Sequence, residues 1–187
     1  TNTGLDGNTN AGGQDIFLSK FNSSGTKQWT RQIGGSADDI PWGLETDSIN
    51  SSMSANNVYI TGYTEGELDG NTNLGSLDGF LIKYNSSGSK QWTKLFGTTL
   101  NEFGRQIEFD SLGNIYIAGF THGAFDGGTN IGSSDVFLMK LNSSGIIQWI
   151  EQLGSSSSED VWGLDIDNSD NIYLAGATSG NFDGNTH

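Results

Sequence analysis

Residues 114–121, Asn-Ile-Tyr-Ile-Ala-Gly-Phe-Thr, carry apolar side chains on both alternating faces. Ile115 and Ile117 point one way, Tyr116 and Phe120 the other. A strand of that kind needs cover on both sides. Equivalent segments read "NVYITGYT" (57–64) and "NIYLAGAT" (171–178). Three more segment types recur around this one, which we label B. Segment A is "WGLETD" (42–47), "RQIEFD" (105–110) and "WGLDID" (162–167). Segment C is "DIFLSKFN", "DGFLIKYN" and "DVFLMKLN". Segment D is "KQWTRQIG", "KQWTKLFG" and "IQWIEQLG". All are short, rich in β-branched and aromatic residues, and bounded by Gly, Asn, Asp and Ser, which predicts strands. No stretch keeps helical periodicity for three turns.

The repeat has a measurable period. Asp15, Asp78 and Asp135 are 63 and 57 residues apart, and Asp47, Asp110 and Asp167 give the same steps. The period is 57, with six extra residues in the first copy within "SINSSMSANN". This insertion, at 48–53, is expected to protrude as the most mobile part of the chain. "NSSG" joins C to D in every copy and suits a type I turn, with Gly in the left-handed conformation of a bulged hairpin. Asn22, Asn85 and Asn142 also sit in N-x-S glycosylation sequons. Turn chemistry explains the motif where a hairpin must turn.

Four-stranded antiparallel units covered on both faces by like units are β-propeller blades. The expected fold is therefore all-β, a β-propeller of four-stranded antiparallel blades with three blade-equivalents per chain. Seven of the eight basic residues lie in C, D or the turn joining them: Lys20, Lys27, Arg31, Lys83, Lys90, Lys94 and Lys140. Lys and Arg discourage edge-to-edge pairing, so D is read as the outer edge and A as the axial strand. Arg105 is the exception. It stands on A where the other copies have Trp42 and Trp162, and reads as a salt-bridge partner or a ligand contact near the axis.

The pattern "D-x-F-L-x-K-[FYL]-N-S-S-G-x-x-Q-W" followed by "D-S-x-G-N-I-Y-I-A-G-F-T" resembles the SBBP repeat, a bacterial and archaeal β-propeller repeat. The resemblance covers all three periods. It implies a propeller in an exported or cell-surface protein, usually without assigned activity, and brings no catalytic residues with it. The family name suggests seven blades, which three blade-equivalents do not make.

The chain has 187 residues, no Cys and a net charge of −14. Disulfides and thiolate metal sites are excluded. Nucleic acid and insertion into an anionic membrane are disfavoured, since both need a basic footprint, and no apolar run is long enough to span a bilayer. The chain starts at Thr1, without a visible signal peptide, which reads as a mature form or an excised piece. His122 and His187 are the only histidines. His122 reads as a surface loop residue and His187 as the first residue of a tag, so no Ser/His/Asp arrangement can be assembled and the chain is read as a non-enzyme. Glu45, Glu108 and Asp165 are equivalent on segment A. Paired axial carboxylates could serve glycoside chemistry, or simply make an acidic channel mouth.

The B–C loops read "DGNTNAGGQD" (6–15), "DGNTNLGSLD" (69–78) and "DGGTNIGSSD" (126–135). Oxygen side chains at loop positions 1, 3, 5 and 10 resemble a calcium loop. The candidate ligands are Asp6, Asn8, Asn10 and Asp15; Asp69, Asn71, Asn73 and Asp78; and Asp126, Asn130 and Asp135. Gly at position 7 rather than 6, and Gly128 in place of one ligand, depart from that pattern. Asp and Asn also build such loops by capping their own backbone. Three function classes therefore stand together: a non-enzymatic binding or scaffolding module for a protein or glycan ligand, a Ca²⁺-stabilised form of it, and a carbohydrate-active enzyme.

The chain opens and closes in the same B–C loop of its repeat. Residues 1–35 are expected to form strands C and D of a split blade, 38–97 and 102–154 complete blades, and 161–178 strands A and B of another split blade. Two chains joined head to tail would complete six blades as a homodimer. A trimer would make nine, outside the usual range of four to eight, and ranks second.

Overall fold

The computed structural model describes residues 4–47, 56–125 and 128–182. Twelve strands run through these residues: β1 (Ile16–Phe21), β2 (Lys27–Ile33), β3 (Asp39–Thr46), β4 (Val58–Thr64), β5 (Asp78–Tyr84), β6 (Lys90–Phe96), β7 (Glu102–Phe109), β8 (Ile115–Thr121), β9 (Asp135–Leu141), β10 (Ile147–Leu153), β11 (Glu159–Ile166) and β12 (Ile172–Thr178). They form two four-stranded antiparallel sheets, β3-β4-β5-β6 and β7-β8-β9-β10. Two two-stranded sheets accompany them, β1-β2 and β11-β12. The order within each four-stranded sheet is A-B-C-D, as the repeat implies. The 48–53 insertion lies outside the described residues.

The sheets stack face to face because the middle strands are apolar on both sides. Tyr59 and Leu81 of the first four-stranded sheet meet Ile107, Ile115, Ile117 and Met139 of the second. On its other face, Ile60, Phe80 and Ile82 meet Ile16 and Leu18 of β1. Tyr116 and Leu138 meet Val161 and Leu164 of β11. Burying one such side chain is worth about 1.5–3 kcal/mol. β7 packs beside both β3 and β11, so the A strands share one side of the stack, as the charge pattern predicts.

Strand A begins three residues earlier than the repeat pattern suggests. The extension pairs with the end of strand B, but the register skips between Pro41 and Gly43, Gly104 and Gln106, and Val161 and Gly163. A bulge breaks the period-two pattern, which hides the extra residues from a sequence reading. Pro41 is tolerated because it sits on an edge strand next to that bulge.

The C–D turns follow the predicted chemistry. Oδ1 of Asn22 accepts from the backbone N–H of Ser24 and Thr26 at 3.0 and 2.8 Å, and Gly25 has φ +77°. Asn85 and Asn142 repeat the arrangement. The A–B turns use Asp in the same role: Asp110 Oδ1 accepts from Leu112 and Asn114 N–H, and Asp167 Oδ1 from Ser169 and Asn171 N–H. Asp47 Oδ1 accepts from Asn57 N–H at 2.7 Å, so the six-residue insertion leaves this clasp in place.

Two further contacts stitch neighbouring sheets. The residue before strand C accepts a backbone hydrogen bond from the first residue of the next strand A: Asp39 N–H to Gln14 O, Glu102 to Leu77 and Glu159 to Ser134, at 2.7–2.9 Å. The Trp of the first two "QW" pairs packs on the turn glycine of the next sheet, Trp29 on Gly88 and Trp92 on Gly145. A Cβ at Gly88 would lie 2.9 Å from the Trp29 ring, and the residue has φ +76°. Gly88→Ala is therefore expected to destabilise the chain by about 2 kcal/mol through backbone strain and the displaced ring, measurable by urea denaturation. A loss below about 0.5 kcal/mol would show that the turn does not need glycine.

Candidate axial site

The bulges on the three A strands place Trp42, Arg105 and Trp162 in one layer. Each bulge re-aims the side chain that the strand pairing skips. Gly43 permits the approach of neighbouring A strands, since a Cβ there would lie 2.6 Å from the Arg105 carbonyl oxygen. Gln106 Nε2 donates to Trp162 O at 3.2 Å from the next strand. The Arg105 guanidinium lies between the two indoles, with its carbon 4.2 Å from each ring centroid. It is also 5.3 Å from the Phe120 ring. Trp42 stacks on Phe103 at 5.5 Å, and Phe103 on Phe120 at 4.4 Å. Contacts of this kind contribute about 0.5–1 kcal/mol at exposed sites and more when desolvated.

Arg105 Nη2 donates to Asp160 Oδ2 at 2.9 Å. Both partners are departures from the repeat. Arg105 replaces a Trp, and Asp160 stands where the other copies have Ile40 and Phe103. Phe103 fills the space between its neighbours with an aromatic ring. Asp160 does not, and a cleft of about 330 Å³ opens there, lined by Phe120, Ser134, Asp160, Trp162 and Ser179. Among the described residues, Asp160 Oδ1 and Arg105 Nε are buried without hydrogen-bond partners. Desolvation raises the Asp160 carboxyl, opposed by the positive charge of Arg105. Arg105 was a candidate from its sequence position. Asp160 was not: the 63- and 57-residue spacing aligns it with Ile40 and Phe103, but it precedes segment A as the pattern drew it, and its pairing with Arg105 is a contact between neighbouring strands.

One layer along the axis lie Glu45, Glu108 and Asp165. Glu45 Oε1 and Asp165 Oδ1 each accept from the next residue's N–H, at 2.7 and 3.0 Å. Burial, then the charges of Glu45 and Asp165, push the Glu108 carboxyl up to about 6. The sequence reading left this trio as either a glycoside site or an acidic mouth. His122 packs edge-on against Phe103 and Phe120 at 5.9 and 6.0 Å. His187 lies outside the described residues.

Sequence comparison of the strand starts adds a buried motif that the segment pattern missed. Asp39, Glu102 and Glu159 are equivalent and buried. Glu102 accepts from Thr98 N–H at 2.6 Å, from Thr98 Oγ1 at 2.8 Å and from Thr121 Oγ1 at 2.8 Å. Glu159 does the same with Ser155 and Thr178. The shared 63- and 57-residue spacing of these acids was the available signal.

In the B–C loops the two carboxylates of a loop serve different partners. Asp6 accepts from Lys27 and from Thr30 Oγ1, both at 2.6 Å, and Asp69 pairs with Lys90. Asp78 Oδ2 accepts from Leu74 N–H at 2.6 Å and its Oδ1 from Gly75 N–H at 3.0 Å. Asp135 repeats this with Ile131 and Gly132, and Asp15 accepts from Ala11 N–H and Gln32 Nε2. Asn8 and Asn71 donate to the carbonyls of Leu5 and Leu68, and Asn10 donates to Gly13 O. Asn73 and Asn130 donate to Thr64 O and His122 O. Asp126 lies outside the described residues. Among the described residues, no three His, Asp or Glu side chains cluster as a metal site.

Four-stranded antiparallel sheets, stacked by their two-sided middle strands with the A strands together, are an all-β arrangement consistent with a β-propeller. Residues 91–126 and 148–183 match the family model of the SBBP beta-propeller repeat. Each match begins on a D strand and runs through the A and B strands that follow. The chain is also similar to an uncharacterized WD repeat-containing protein, L264, of Acanthamoeba polyphaga mimivirus. The two are 24% identical over 212 residues, covering 93% of this chain and 15% of that protein.

Two tests follow from these sites. A carboxyl whose folded pKa exceeds its ordinary 4.5 holds its proton more tightly when folded. Its contribution to stability is therefore full below about pH 4.5 and is lost as pH rises through about 6. Glu108→Gln keeps the backbone contact without the charge, so it is expected to stabilise the chain by about 1 kcal/mol at pH 7–8, and by nothing at pH 4. Melting curves across that range check the sign. For the B–C loops, carboxylates already occupied by N–H donors predict a melting temperature that neither millimolar Ca²⁺ nor a chelator changes. A rise of several degrees with Ca²⁺ would assign the loops a metal.

Proposed function

We propose that this chain is a non-enzymatic β-propeller repeat module that binds a protein partner at its axial face, within an exported or cell-surface protein. One observation carries the reading. Most of the Asp, Asn and Glu side chains that recur at the turns and strand starts are held in structural hydrogen bonds, while two departures from the repeat meet at one place. Arg105 and Asp160 both depart from the repeat, and they pair beside an exposed Trp162 and an open cleft. A scaffold is expected to repeat. A binding site needs asymmetry. Similarity to a WD repeat-containing protein supports an interaction role by fold-level analogy. Exposed aromatic and Arg side chains are also the residue types that dominate binding energy at protein interfaces.

In its finer architecture the module is a six-bladed ring of two copies. Residues 38–97 and 102–154 form whole blades. The pairs within 1–35 and 161–178 form blades shared between copies.

The test is a binding screen against displayed peptides and a glycan array, with Trp162→Ala and Asp160→Phe as paired variants. Loss of a captured peptide ligand by about 10-fold or more on Trp162→Ala is expected, with the chain still folded and its melting temperature lowered by only a few degrees. Capture of glycans alone would move the ligand class from protein to carbohydrate. Hydrolysis of a glycoside substrate that disappears in Glu108→Gln would overturn the non-enzymatic reading.

A further inference from the structure

Two strand edges of this chain stand open, and each carries apolar residues that the internal sheets bury. On β1, Phe17 is 61% exposed, while its equivalents Phe80 and Phe137 are fully buried. Phe21 is 57% exposed against 3% for Tyr84. On β12, Tyr173 is 56% exposed against 2% for Tyr59 and 4% for Tyr116. Beside β12 lies a cleft of about 320 Å³ walled by Val136, Leu153 and Leu174. Beside β1 lies one of about 440 Å³ walled by Leu18, Trp29, Leu44 and Val58. An open apolar strand edge is a template for another strand.

The two edges match each other residue by residue. In the internal sheets, strand B meets strand C with Thr64 opposite Asp78, Gly62 opposite Phe80 and Tyr59 opposite Lys83. The second sheet repeats this with Thr121, Asp135; Gly119, Phe137; and Tyr116, Lys140. The same register on the open edges sets Thr178 opposite Asp15, Gly176 opposite Phe17 and Tyr173 opposite Lys20. Each pair has its chemistry ready. Gly62 and Gly119 are the sockets for the strand C rings, since a Cβ there would lie 2.8 and 2.6 Å from Phe80 and Phe137. Gly176 is the matching socket, and Phe17 the ring without one.

The charges agree. Lys140 lies 3.2 Å from Asp110 and 5.0 Å over the Tyr116 ring. Lys83 lies 5.1 Å over Tyr59. Tyr173 donates to Asp167 at 3.1 Å in the same arrangement, and the lysine that completes it is Lys20 on β1. At the rim, Trp29 and Trp92 pack on Gly88 and Gly145, yet Gly25 has nothing within 4 Å of its Cβ position. Trp149 is the indole next in the series.

We propose that β12 of one copy pairs antiparallel with β1 of a second copy in this register, at both seams of a two-fold pair. This rests on reading the repeats as propeller blades. A second copy is the occupant because the missing ring, lysine, carboxylate and turn glycine all lie on the open edge of this same chain. Two copies give six blades with no open B–C edge, within the four to eight that propellers use.

Light scattering on the 187-residue chain is expected to give twice its 19.9 kDa mass. Phe17 is 61% exposed and belongs to none of the buried core clusters, so Phe17→Asp is expected to weaken association by about 100-fold or more without changing the circular dichroism of the chain. The absence of Cys makes the register directly testable. Leu174→Cys with Ser19→Cys, opposite in the proposed pairing, is expected to form a covalent dimer under oxidation. Leu174→Cys with Ile16→Cys, three residues out of register, is not. A folded monomer with wild-type β-sheet circular dichroism overturns the seam while leaving the blade reading intact. Loss of that dichroism in the wild-type chain would instead overturn the blade reading. A dimer that crosslinks only out of register, or a mass of three copies, overturns the proposed closure.

Discussion

The need to cover both faces of strands B and C governs this molecule. Ile60 and Tyr59 are neighbours on one strand, yet one packs toward β1 and the other toward β7. A single four-stranded sheet with such strands would expose two apolar faces to water. Stacking like units removes that exposure, so each sheet depends on its neighbours for stability, as in other repeat architectures. Side-chain geometry propagates the requirement. Gly62 and Gly119 make room for Phe80 and Phe137, and the ring that fills the socket is the same ring that fills the next interface.

Polar groups are arranged to serve that stacking. A buried carboxylate at the start of strand A costs several kcal/mol unless it is hydrogen-bonded. Glu102 and Glu159 meet this with three donors each from one loop and the adjacent strand. Asp39 is shorter by one methylene, and its Oδ1 lacks a partner among the described residues. Its carboxyl is raised by desolvation, against hydrogen bonds from Thr64 and Gly35 that lower it. The C–D turns and the two short A–B turns follow one rule: an Asn or Asp side chain caps backbone N–H groups two and four residues on. Repetition of that rule is why the turn sequence recurs, and why the tight turns can be read without coordinates.

Against this regular background, the axial layer is where the copies differ. Replacing one indole by a guanidinium turns an aromatic layer into a cation held between two rings. Replacing an inter-sheet hydrophobe by Asp160 supplies the counter-charge and leaves a cleft where Phe103 fills the equivalent space. The two substitutions are complementary in charge and lie on neighbouring strands. Neither would be tolerated as well alone, since a buried unpaired charge is destabilising.

Much of this was legible in the sequence. Strand type, strand order, the turn conformation at "NSSG" and the position of the insertion all follow from short-range rules of alternation and turn chemistry, which act within a few residues. Two-sided apolar strands dictated stacking, and the lysines of the D strands marked the outer edge. Tertiary structure decided what depends on contacts across the repeat. The bulges at Trp42, Arg105 and Trp162 erase the alternation that would have shown where strand A begins, so the pairing of Arg105 with Asp160 became visible only when the strands were set side by side. The B–C loops show the same division. Their Asp and Asn spacing is shared by metal loops and by self-capped turns, because both need oxygen atoms directed inward. Only the placement of the Leu74, Gly75, Ile131 and Gly132 amides against Asp78 and Asp135 reveals which donors those oxygens meet.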